Sequence, residues 1–582
     1  MNANIVRKLA VFVIITVLTL GMGNAAWGVD VYPTGDPTKD VPEVNAAVRG
    51  GPGPSGTVYP GGGTVTLKAA NASGDPMAFN FGRLEYNLIF APNDLLSRYF
   101  SDINNHRVRV NKPIVIQGET VNGNMTTIIG GYQPFAIGPA AADIPDGDVT
   151  IQGIHFKDSG MTSISVARTK PEYSVNILGN RFTGQLYEYF GGKDKPCWNV
   201  SDGWSNDGSK IRMLRMVDLV HYEDVTNLYS LERRVAAWKD AWASFYFNFI
   251  YQAAPGPSGP IPLFGIWFPL GIFIGGPSAP GGVQGPVNII NNYFDLEEDS
   301  VLPSQFTKVW YETSLVLSLG QKSPLTIFQN TIRNGTSRGS ISVLDATDEV
   351  TIQNNLIELG TLGSYAQAGI PPFNSAGGIG AIYGYQFGDS AGFPANGGDV
   401  LISNNTIVSP TESKDTVGMT VLGMTPTGQT PRSWNSASIL DNRIHISNGR
   451  HGIFVGDTGD VLPAGCSGAN VVRNTVEGSG LYGLLIGSIE GTSPLYTRGN
   501  TFVANKISRF HATSEGTSSP DFTAADVYLE SDTIDNVLVG FSGTVIDNGV
   551  GNKITGQPRT IKGGVGPEVS EAMQEIQETP VE

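Results

Sequence analysis

One short pattern of apolar and polar residues recurs along the chain. The pattern is eight residues long. Its first and third residues are aliphatic, its sixth is Asn and its eighth is apolar. Alternation of this kind is typical of short β-strands that send every second side chain to the same side. Eight copies carry the Asn at the same place: Val175–Phe182, Val287–Phe294, Leu325–Ile332, Val350–Ile357, Val400–Ile407, Ala437–Ile444, Ala469–Val476 and Leu495–Phe502.

The recurring Asn predicts a tight bend between two strands. Asn tolerates the left-handed backbone better than other non-glycine residues, so we place the bend at the Asn itself. Two further copies lack it, because Val149–Phe156 has Ile154 and Val527–Ile534 has Asp532 at that place. The framed residues are Asn180, Asn292, Asn330, Asn355, Asn405, Asn442, Asn474 and Asn500.

The spacing of the copies predicts a solenoid. The shortest separation, from Asn330 to Asn355, gives a unit of about 25 residues, and longer separations indicate loops inserted into coils. Three short strands per unit would close one coil of a parallel β-helix, with coils about 4.8 Å apart. Equivalent Asn side chains would then hydrogen-bond in a ladder, so we interpret them as structural residues. The chain accommodates about eleven to thirteen coils.

The repeat resembles that of the pectin-lyase-like superfamily. The segment Val41–Val48, followed by Gly61–Leu67, is also similar to the opening of that superfamily, in which a short capping helix precedes the first strand. The resemblance covers about residues 40 to 560 apart from one insertion. It implies an all-β, right-handed parallel β-helix (a solenoid) with one partly helical insertion. The superfamily includes lyases, hydrolases, epimerases, phage spikes and adhesins, so the activity stays open.

The N-terminal residues have the pattern of a secretory signal. Arg7 and Lys8 precede the apolar stretch Leu9–Leu20, and the small residues Ala26 and Gly28 suit cleavage after residue 28. A retained membrane anchor is the alternative, although the apolar stretch is short for a span. We therefore expect a secreted or extracytoplasmic protein, in the periplasm or at the cell surface.

The predicted organisation has six parts. They are a signal peptide (1–28), a leader and N-terminal cap (29–57), the first coils (58–184), an aromatic-rich insertion (185–284), the main β-helix (285–562) and an acidic C-terminal tail (563–582).

Composition narrows the function classes. The 582 residues include 53 acidic and 37 basic side chains, for a net charge of −16, without a basic run. This balance disfavours nucleic acid or an anionic membrane surface as a partner. Glycine is abundant, at 74 residues, which suits a turn-dense solenoid. The two cysteines, Cys197 and Cys466, permit one internal disulfide at most, and their pairing stays open.

The insertion at 185–284 interrupts the repeat. Within it, Leu228–Phe247 has apolar residues at helical spacing, which predicts an amphipathic helix. The apolar segment Gly259–Gly275 is rich in Pro and Gly, which argues against a transmembrane helix. This segment either packs on the flank of the solenoid or forms an exposed patch for a partner or an oligomer. Its aromatic side chains could also stack on sugar rings.

Strands that end in Asp supply the candidate catalytic residues, which are Arg450, Asp457 and Asp389. A uronate carboxylate could be neutralised by Arg450, which could also act as the base in a β-elimination. Carboxylates nearby could form an acid/base pair or bind Ca²⁺. The alternative is a solvated Arg and turn-capping Asp residues. The strands in question are Arg338–Asp345, Gly380–Asp389 and Arg450–Asp457.

Strand alternation predicts on which side of the sheet these side chains lie. If Ile453 and Val455 face inward, Arg450 and Phe454 face outward. The acidic stretch Asp295–Asp299 is a second candidate Ca²⁺ loop, although it lacks the spacing of an EF-hand.

Two function classes therefore remain open. The first is a carbohydrate-directed protein, either a polysaccharide lyase or hydrolase-like enzyme or a glycan binder. The second is a non-catalytic structural or adhesive envelope protein. The diagnostic motifs of polygalacturonase-like hydrolases, mannuronan epimerases and classical pectate lyases are missing from the sequence. We expect a polysaccharide or a cell-envelope surface as the partner, without a membrane span in the mature chain.

Overall fold

The computed structural model describes most of the strand-forming chain. The described residues are 28–82, 107–183, 255–256, 259–260, 271–275, 282–295, 315–335, 340–344, 346–359, 380–386, 397–409, 417–423, 434–457, 468–488, 497–508, 525–556 and 559–562, apart from 132, 158, 160, 161, 532 and 542.

The chain forms a parallel β-helix with three long faces, which we name sheets A, B and C in the order in which each coil passes through them. Sheet A has 14 strands, all paired in parallel, so that thirteen turns of the chain separate the first from the last. Its strands are Gly28–Val31, Gly63–Leu67, Ile114–Gly118, Val149–Gln152, Val175–Leu178, Val287–Ile290, Leu325–Phe328, Val350–Gln353, Asp399–Ser403, Ser436–Leu440, Asn470–Val472, Thr501–Val503, Val537–Phe541 and Lys553–Gly556.

Sheet B follows sheet A, after a turn of two residues in the coils from Val149–Gln152 to Thr501–Val503 and after longer connections in the first coils. Its separate strands are Phe79–Asn80, Thr127–Ile129, His155–Lys157, Arg181–Thr183, Tyr293–Asp295, Thr331–Gly335, Leu356–Leu359, Thr406–Val408 and Lys506–Ser508.

Sheet C completes the coil. Its separate strands are Val108–Val110, Phe135–Ile137, Ile164–Val166, Ile272–Gly275, Val316–Leu319, Ile341–Leu344, Gly380–Gln386, Val417–Gly423, Ala525–Leu529, Thr544–Asp547 and Arg559–Lys562. The strand Ile272–Gly275 pairs with Ile164–Val166, and its Ile272 and Ile274 are buried in the core. The solenoid therefore resumes inside the apolar segment that the sequence placed in the insertion.

Two long strands run through sheets B and C without a break, which joins the two sheets. Arg443–Asp457 pairs with sheet B near Arg443 and with sheet C from His451 onward, and Thr475–Ser488 follows it in both sheets. Glycine is required where neighbouring atoms leave no room for a Cβ. A Cβ at Gly452 would lie 2.5 Å from the carbonyl oxygen of Gly483 and 2.3 Å from Val476 Cγ1.

The N-terminal end of the stack is covered by the helix Pro37–Arg49, as the resemblance implied. Its buried Asp40 carboxylate accepts hydrogen bonds from the backbone N–H groups of Thr34, Gly35 and Asn80, which connects the helix to the first coils. The remaining elements are the 3₁₀ helix Ala141–Asp143 and the short strand pairs Gly51–Pro52 with Val58–Tyr59, Thr120–Val121 with Asn124–Met125, Pro255–Gly256 with Gly259–Pro260, and Thr497–Arg498 with Thr533–Ile534.

The interior is filled by aligned apolar side chains from the three sheets, as the alternation predicted. In sheet A the frame residues Val175 and Ile177 are buried, and sheet B adds a stack of parallel rings. The rings of Phe156 and Phe182 lie 5.2 Å apart, and those of Phe182 and Phe294 lie 4.6 Å apart. Full burial of such side chains contributes about 1.5–3 kcal/mol each, which makes this core the main source of stability.

The predicted Asn ladder is confirmed at the corner between sheets A and B. At Asn330, for example, Nδ2 donates to Asn355 Oδ1 at 3.0 Å and to the carbonyl oxygen of Ile289 at 3.0 Å. Its Oδ1 accepts from the backbone N and the Nδ2 of Asn292. The same arrangement continues to Asn474, with every amide oriented in the same direction along the stack.

Two details of the prediction were wrong. The left-handed residue of each bend is the one before the Asn, for example Asn291 and Asn354, both at φ 57°. Asn500 does not continue the ladder, because the next acceptor for Asn474 is Asn505 Oδ1 at 2.9 Å.

A second, shorter ladder explains the position of Asn500. It lies at the opposite end of the sheet A strands, where the Nδ2 of Asn500 donates to Asn536 and that of Asn536 donates to Asn552. The proposed late copy, Val527–Ile534, is also not a copy of the frame. Its first strand, Ala525–Leu529, belongs to sheet C.

Candidate functional site

The outer face of sheet A contains two uncharged rows of side chains. Charged residues stand beside the rows, as the exposed Asp399 does, and in line with them in the two terminal strands, at Asp30 and Lys553. From Gly63–Leu67 to Val537–Phe541, twelve successive strands each place two side chains on this face, in two rows that run along the stack. Neither row contains an acidic or a basic residue. The first row is Thr64, Val115, Thr150, Asn176, Asn288, Thr326, Thr351, Leu401, Ser438, Asn470, Thr501 and Val537. The second is Thr66, Gln117, Gln152, Leu178, Ile290, Phe328, Gln353, Ser403, Leu440, Val472, Val503 and Val539.

Sheet B provides the contrast within the same molecule. Its outward positions carry charges of both signs that pair across neighbouring strands, as in Arg333 with Glu358 at 3.4 Å and Lys506 with Glu477 at 3.5 Å. Such pairs are typical of an ordinary solvated surface. In a chain that is 15% charged, the neutrality of the sheet A rows is therefore a property of that face.

Polar side chains of the sheet A rows hydrogen-bond to one another from strand to strand. Asn288 Nδ2 donates to Asn176 Oδ1 at 2.9 Å, and Gln353 Nε2 donates to Ser403 Oγ at 2.7 Å. Gln117 Nε2 likewise donates to Thr66 Oγ1 at 3.0 Å. These bonds orient the amides before any ligand arrives, which lowers the entropy cost of binding.

Some of the charges at the borders of this face are paired. At one end Lys68 Nζ lies 2.6 Å from Glu119 Oε1 and 3.5 Å from Asp30 Oδ2. The hydrogen bond from Lys68 lowers the pKa of Glu119 and raises that of Lys68. Nearer the other end, Arg473 holds Asp441 through two hydrogen bonds of 2.7 and 2.6 Å. Beside the first row, the exposed Asp399 accepts hydrogen bonds from the neutral side chains of Asn435 and Ser436.

The two rows together form a long and narrow strip. Strands lie about 4.8 Å apart and alternate residues about 7 Å apart, so twelve strands give a strip about 50 Å long and about 7 Å between rows. Most of its side chains are half-buried or exposed, and Thr150, Asn176 and Ser403 are buried. This shape suits one extended polymer chain lying along the helix axis.

The structure places two of the three candidate catalytic residues in one strand of sheet C. Arg450 and Asp457 belong to Arg443–Asp457, and Asp457 pairs in register with Gly423 and Ser488. Asp389 lies outside the described residues, so the three are not brought together as a described site.

Between Arg450 and Asp457 the strand alternates as predicted. Ile453 and Val455 face the core, and Phe454 packs on the opposite side in a separate apolar cluster with Leu485 and Tyr482. This cluster leaves Phe454 only 1% exposed although it faces outward.

Several other sequence-based expectations fall on residues that the structure does not describe. These are the signal segment through residue 27, both cysteines, the aromatic residues of the insertion and most of the acidic stretch after Asp295. Asp295 itself is buried and accepts a hydrogen bond from Tyr293 at 3.3 Å. Within the described ranges, no three His, Cys, Asp or Glu side chains are grouped as a metal site, and no helix has the length and apolarity to cross a membrane.

Comparison with protein-family models, with curated proteins and with solved structures finds no match to this chain. The arguments for function therefore rest on its own residues.

The neutral rows escaped the sequence-based search, although the repeat contained the signal. In every framed copy of sheet A the second and fourth residues are uncharged, for example Asn288 and Ile290, or Thr351 and Gln353. Charged and aromatic side chains are the usual signals of a site in a sequence, whereas these rows are distinguished by their lack of acidic and basic residues.

Proposed function

We propose that this protein is an extracytoplasmic parallel β-helix that binds a neutral polysaccharide along the outer face of sheet A. The observation that carries the proposal is the pair of uncharged rows over twelve strands, in a chain of net charge −16. Amide and hydroxyl side chains at strand spacing offer donors and acceptors to sugar hydroxyls, and the intervening aliphatic side chains offer contacts to sugar C–H groups.

The dimensions favour a polymer over a second protein molecule. A strip about 50 by 7 Å covers roughly 350 Å², whereas a stable protein interface buries about 800 Å² on each partner. A charged glycan is disfavoured as well, because no charged side chain in the rows would neutralise it. One neutral, extended sugar chain meets both conditions.

Two sequence features support the cellular setting. The basic residues and apolar stretch of 1–28 have the pattern of an export signal. The repeat and the capping segment resemble the pectin-lyase-like superfamily, in which carbohydrate-directed proteins are common. Both features support the proposal by analogy, and the neutral face supports it by chemistry.

A charge placed in the strip tests the proposal. We expect Thr351→Glu to weaken binding to hydroxyethylcellulose, a neutral soluble glucan, by at least about tenfold, because an uncompensated carboxylate must then lose water under the sugar chain. Retardation of the purified protein in native gels that contain the glucan measures the affinity. Dextran and polygalacturonate serve as a differently linked and a charged comparison.

Thr331→Glu is the matched control, since Thr331 is a half-buried outward residue of the neighbouring sheet B. It adds the same charge to the same chain and should leave retardation unchanged. If both variants bind like the unchanged protein, or if polygalacturonate binds better than the neutral glucans, the proposal is wrong.

A catalytic site on sheet C is the second candidate, favoured by the position of the long connections. Sheet A passes to sheet B through two residues in successive coils, whereas long segments precede or follow the sheet C strands, such as 184–271 and 458–469. Arg450 and Asp457 belong to the strand that the second of these segments follows. Release of unsaturated ends from polygalacturonate, lost in Arg450→Ala, would support this candidate.

A further inference from the structure

Three adjacent strands of sheet A place large apolar side chains side by side on the outer face. Leu178, Ile290 and Phe328 are aligned in register, and all three are half-buried on the side away from the core. Gln152 and Gln353 precede and follow them in the same row, so the apolar group has polar ends. We call these three residues the platform.

The neighbouring row beside the platform is polar. Asn176, Asn288 and Thr326 stand on the same three strands, two residues earlier in each. Asn176 Oδ1 accepts from Asn288 Nδ2 at 2.9 Å, and Asn176 Nδ2 donates to Ser174 Oγ at 3.1 Å. The amide of Asn288 is thereby held with its carbonyl oxygen turned away from Asn176.

Core packing does not account for the platform. The inward residues of these strands, including Ile177, Ile289 and Ile327, already fill the interior and are fully buried. An aromatic ring on the opposite side of the sheet adds nothing to that core. Beyond the platform, large outward residues of this row, such as Leu440 and Val472, are aliphatic, so Phe328 supplies its single aromatic ring.

We infer that the platform is the principal sugar-binding subsite of the sheet A face, which takes one neutral pyranose unit. The apolar C–H face of the ring packs on Phe328 and Ile290, while Asn288 and Thr326 hydrogen-bond to its equatorial hydroxyls. Three strands span about 10 Å, enough for one ring and its glycosidic oxygen. This inference rests on the proposed function and gives the long face a defined centre.

The chemistry selects the class of sugar. In a β-linked glucan the ring hydroxyls and the glycosidic oxygen at C1 are all equatorial, so the C–H groups on both faces of the ring are accessible. In an α-linked dextran the glycosidic oxygen at C1 is axial and obstructs one face, so a β-glucan should bind better. Aromatic packing and hydrogen bonds from one side are the usual division of roles in a site that is partly apolar and partly polar.

Substitution of Phe328 is the direct test. We expect Phe328→Ala to weaken binding to hydroxyethylcellulose by about tenfold or more, and Phe328→Trp to retain or improve it, because a larger ring preserves the packing. Asn288→Ala should also weaken binding, and should reduce the preference for hydroxyethylcellulose over dextran. Isothermal titration calorimetry gives the affinities, and thermal unfolding confirms that each variant is folded.

Leu401→Ala is the comparison within the strip, because Leu401 is an outward, half-buried residue of the same face that lies outside the platform. As a secondary contact to the sugar chain, its removal should lower the affinity, but by less than threefold. Equal losses in Phe328→Ala and Leu401→Ala would overturn the subsite while the sensitivity to Thr351→Glu still upheld the proposed function.

Two other outcomes are informative. If the protein does not bind either glucan, and Thr351→Glu changes nothing, the proposed function fails and the subsite with it. If light scattering shows a dimer that Phe328→Ala dissociates, the platform is an interface with a second copy and the inference is wrong.

Discussion

The most constrained residues of the molecule are the buried Asn side chains between sheets A and B. From Asn292 to Asn474, each uses its whole hydrogen-bonding capacity. Its oxygen accepts twice from the Asn of the coil before, and its nitrogen donates to the Asn of the coil after and to a carbonyl oxygen, as at Asn330. In the low-dielectric interior an amide that loses one such partner leaves polar groups unsatisfied.

Asn330→Ala should therefore be strongly destabilising. The variant leaves the backbone N–H and the side-chain Nδ2 of Asn292 without their acceptor, at a cost of about 3 kcal/mol in the free energy of unfolding. Denaturation in urea, compared at equal slope, measures the change. Asn470→Ala is the control, because Asn470 is exposed on sheet A, and it should change stability by less than about 0.5 kcal/mol.

The residue before each ladder Asn has a left-handed backbone. The residue types at this position differ in how well they tolerate that conformation. Gly179 suits it, while Asp441 and Arg473 compensate each other through their paired hydrogen bonds. Ala504, at φ 52°, has neither advantage. This conformation costs an ordinary side chain about 1–2 kcal/mol.

Ala504→Gly should raise the free energy of unfolding by about 1 kcal/mol, since the relief of strain exceeds the entropy that glycine adds to the unfolded chain. Ala72→Gly is the comparison, because Ala72 is exposed and does not have a positive φ, so it should gain nothing. An equal gain in both variants would show that backbone strain at residue 504 is not the cause.

At the scale of elements, the repeated frame identified the strands of sheets A and B, whereas the sequence identified few strands of sheet C, such as those within Arg338–Asp345, Gly380–Asp389 and Arg450–Asp457. The frame spans one strand of each of the first two sheets and the bend between them, a fixed local unit that periodicity can detect. Sheet C strands follow connections of variable length, and their outward residues include Thr420, Phe454 and Leu485, which do not alternate with the apolar inward ones in polarity.

The same limit explains the misplacement of Asn500. In that coil an Asn stands at each end of the strand Thr501–Val503, and both ends have the local chemistry of a bend. Only pairing with Asn474 or with Asn536 shows to which corner each belongs. A related limit applies to the strand Arg443–Asp457, because alternation identifies the face on which Phe454 lies but not what packs on that face.

At the scale of the whole molecule, the three faces of the solenoid differ in kind. Sheet A carries the two uncharged rows, sheet B carries paired charges, and sheet C has buried outward residues such as Ser342, Thr420 and Phe454. The net charge of −16 does not show how charge is distributed among the three faces. This distribution becomes visible only when the strands are aligned in register.

Removal of one whole coil tests the stacking directly. Deletion of residues 331–355 joins Asn330 to the strand Leu356–Leu359 and lets Asn330 donate to Asn405 in place of Asn355. We expect a folded protein about 4.8 Å shorter by small-angle scattering. Deletion of residues 331–343, about half a coil, should prevent folding because it leaves the next sheet A strand out of register.

Because the Asn amides of the ladder all point in the same direction, the number of coils in this fold can vary independently of its cross-section. The Asn of each coil donates a hydrogen bond to the Asn of the next coil and accepts hydrogen bonds from the Asn of the coil before. Coils can therefore be gained or lost by unequal recombination without a change in the cross-section of the β-helix. Every such event would lengthen or shorten the neutral strip of sheet A by one strand. Descendants of one ancestral chain could thus differ in the length of polymer that the strip contacts, while they share the same Asn ladder between sheets A and B.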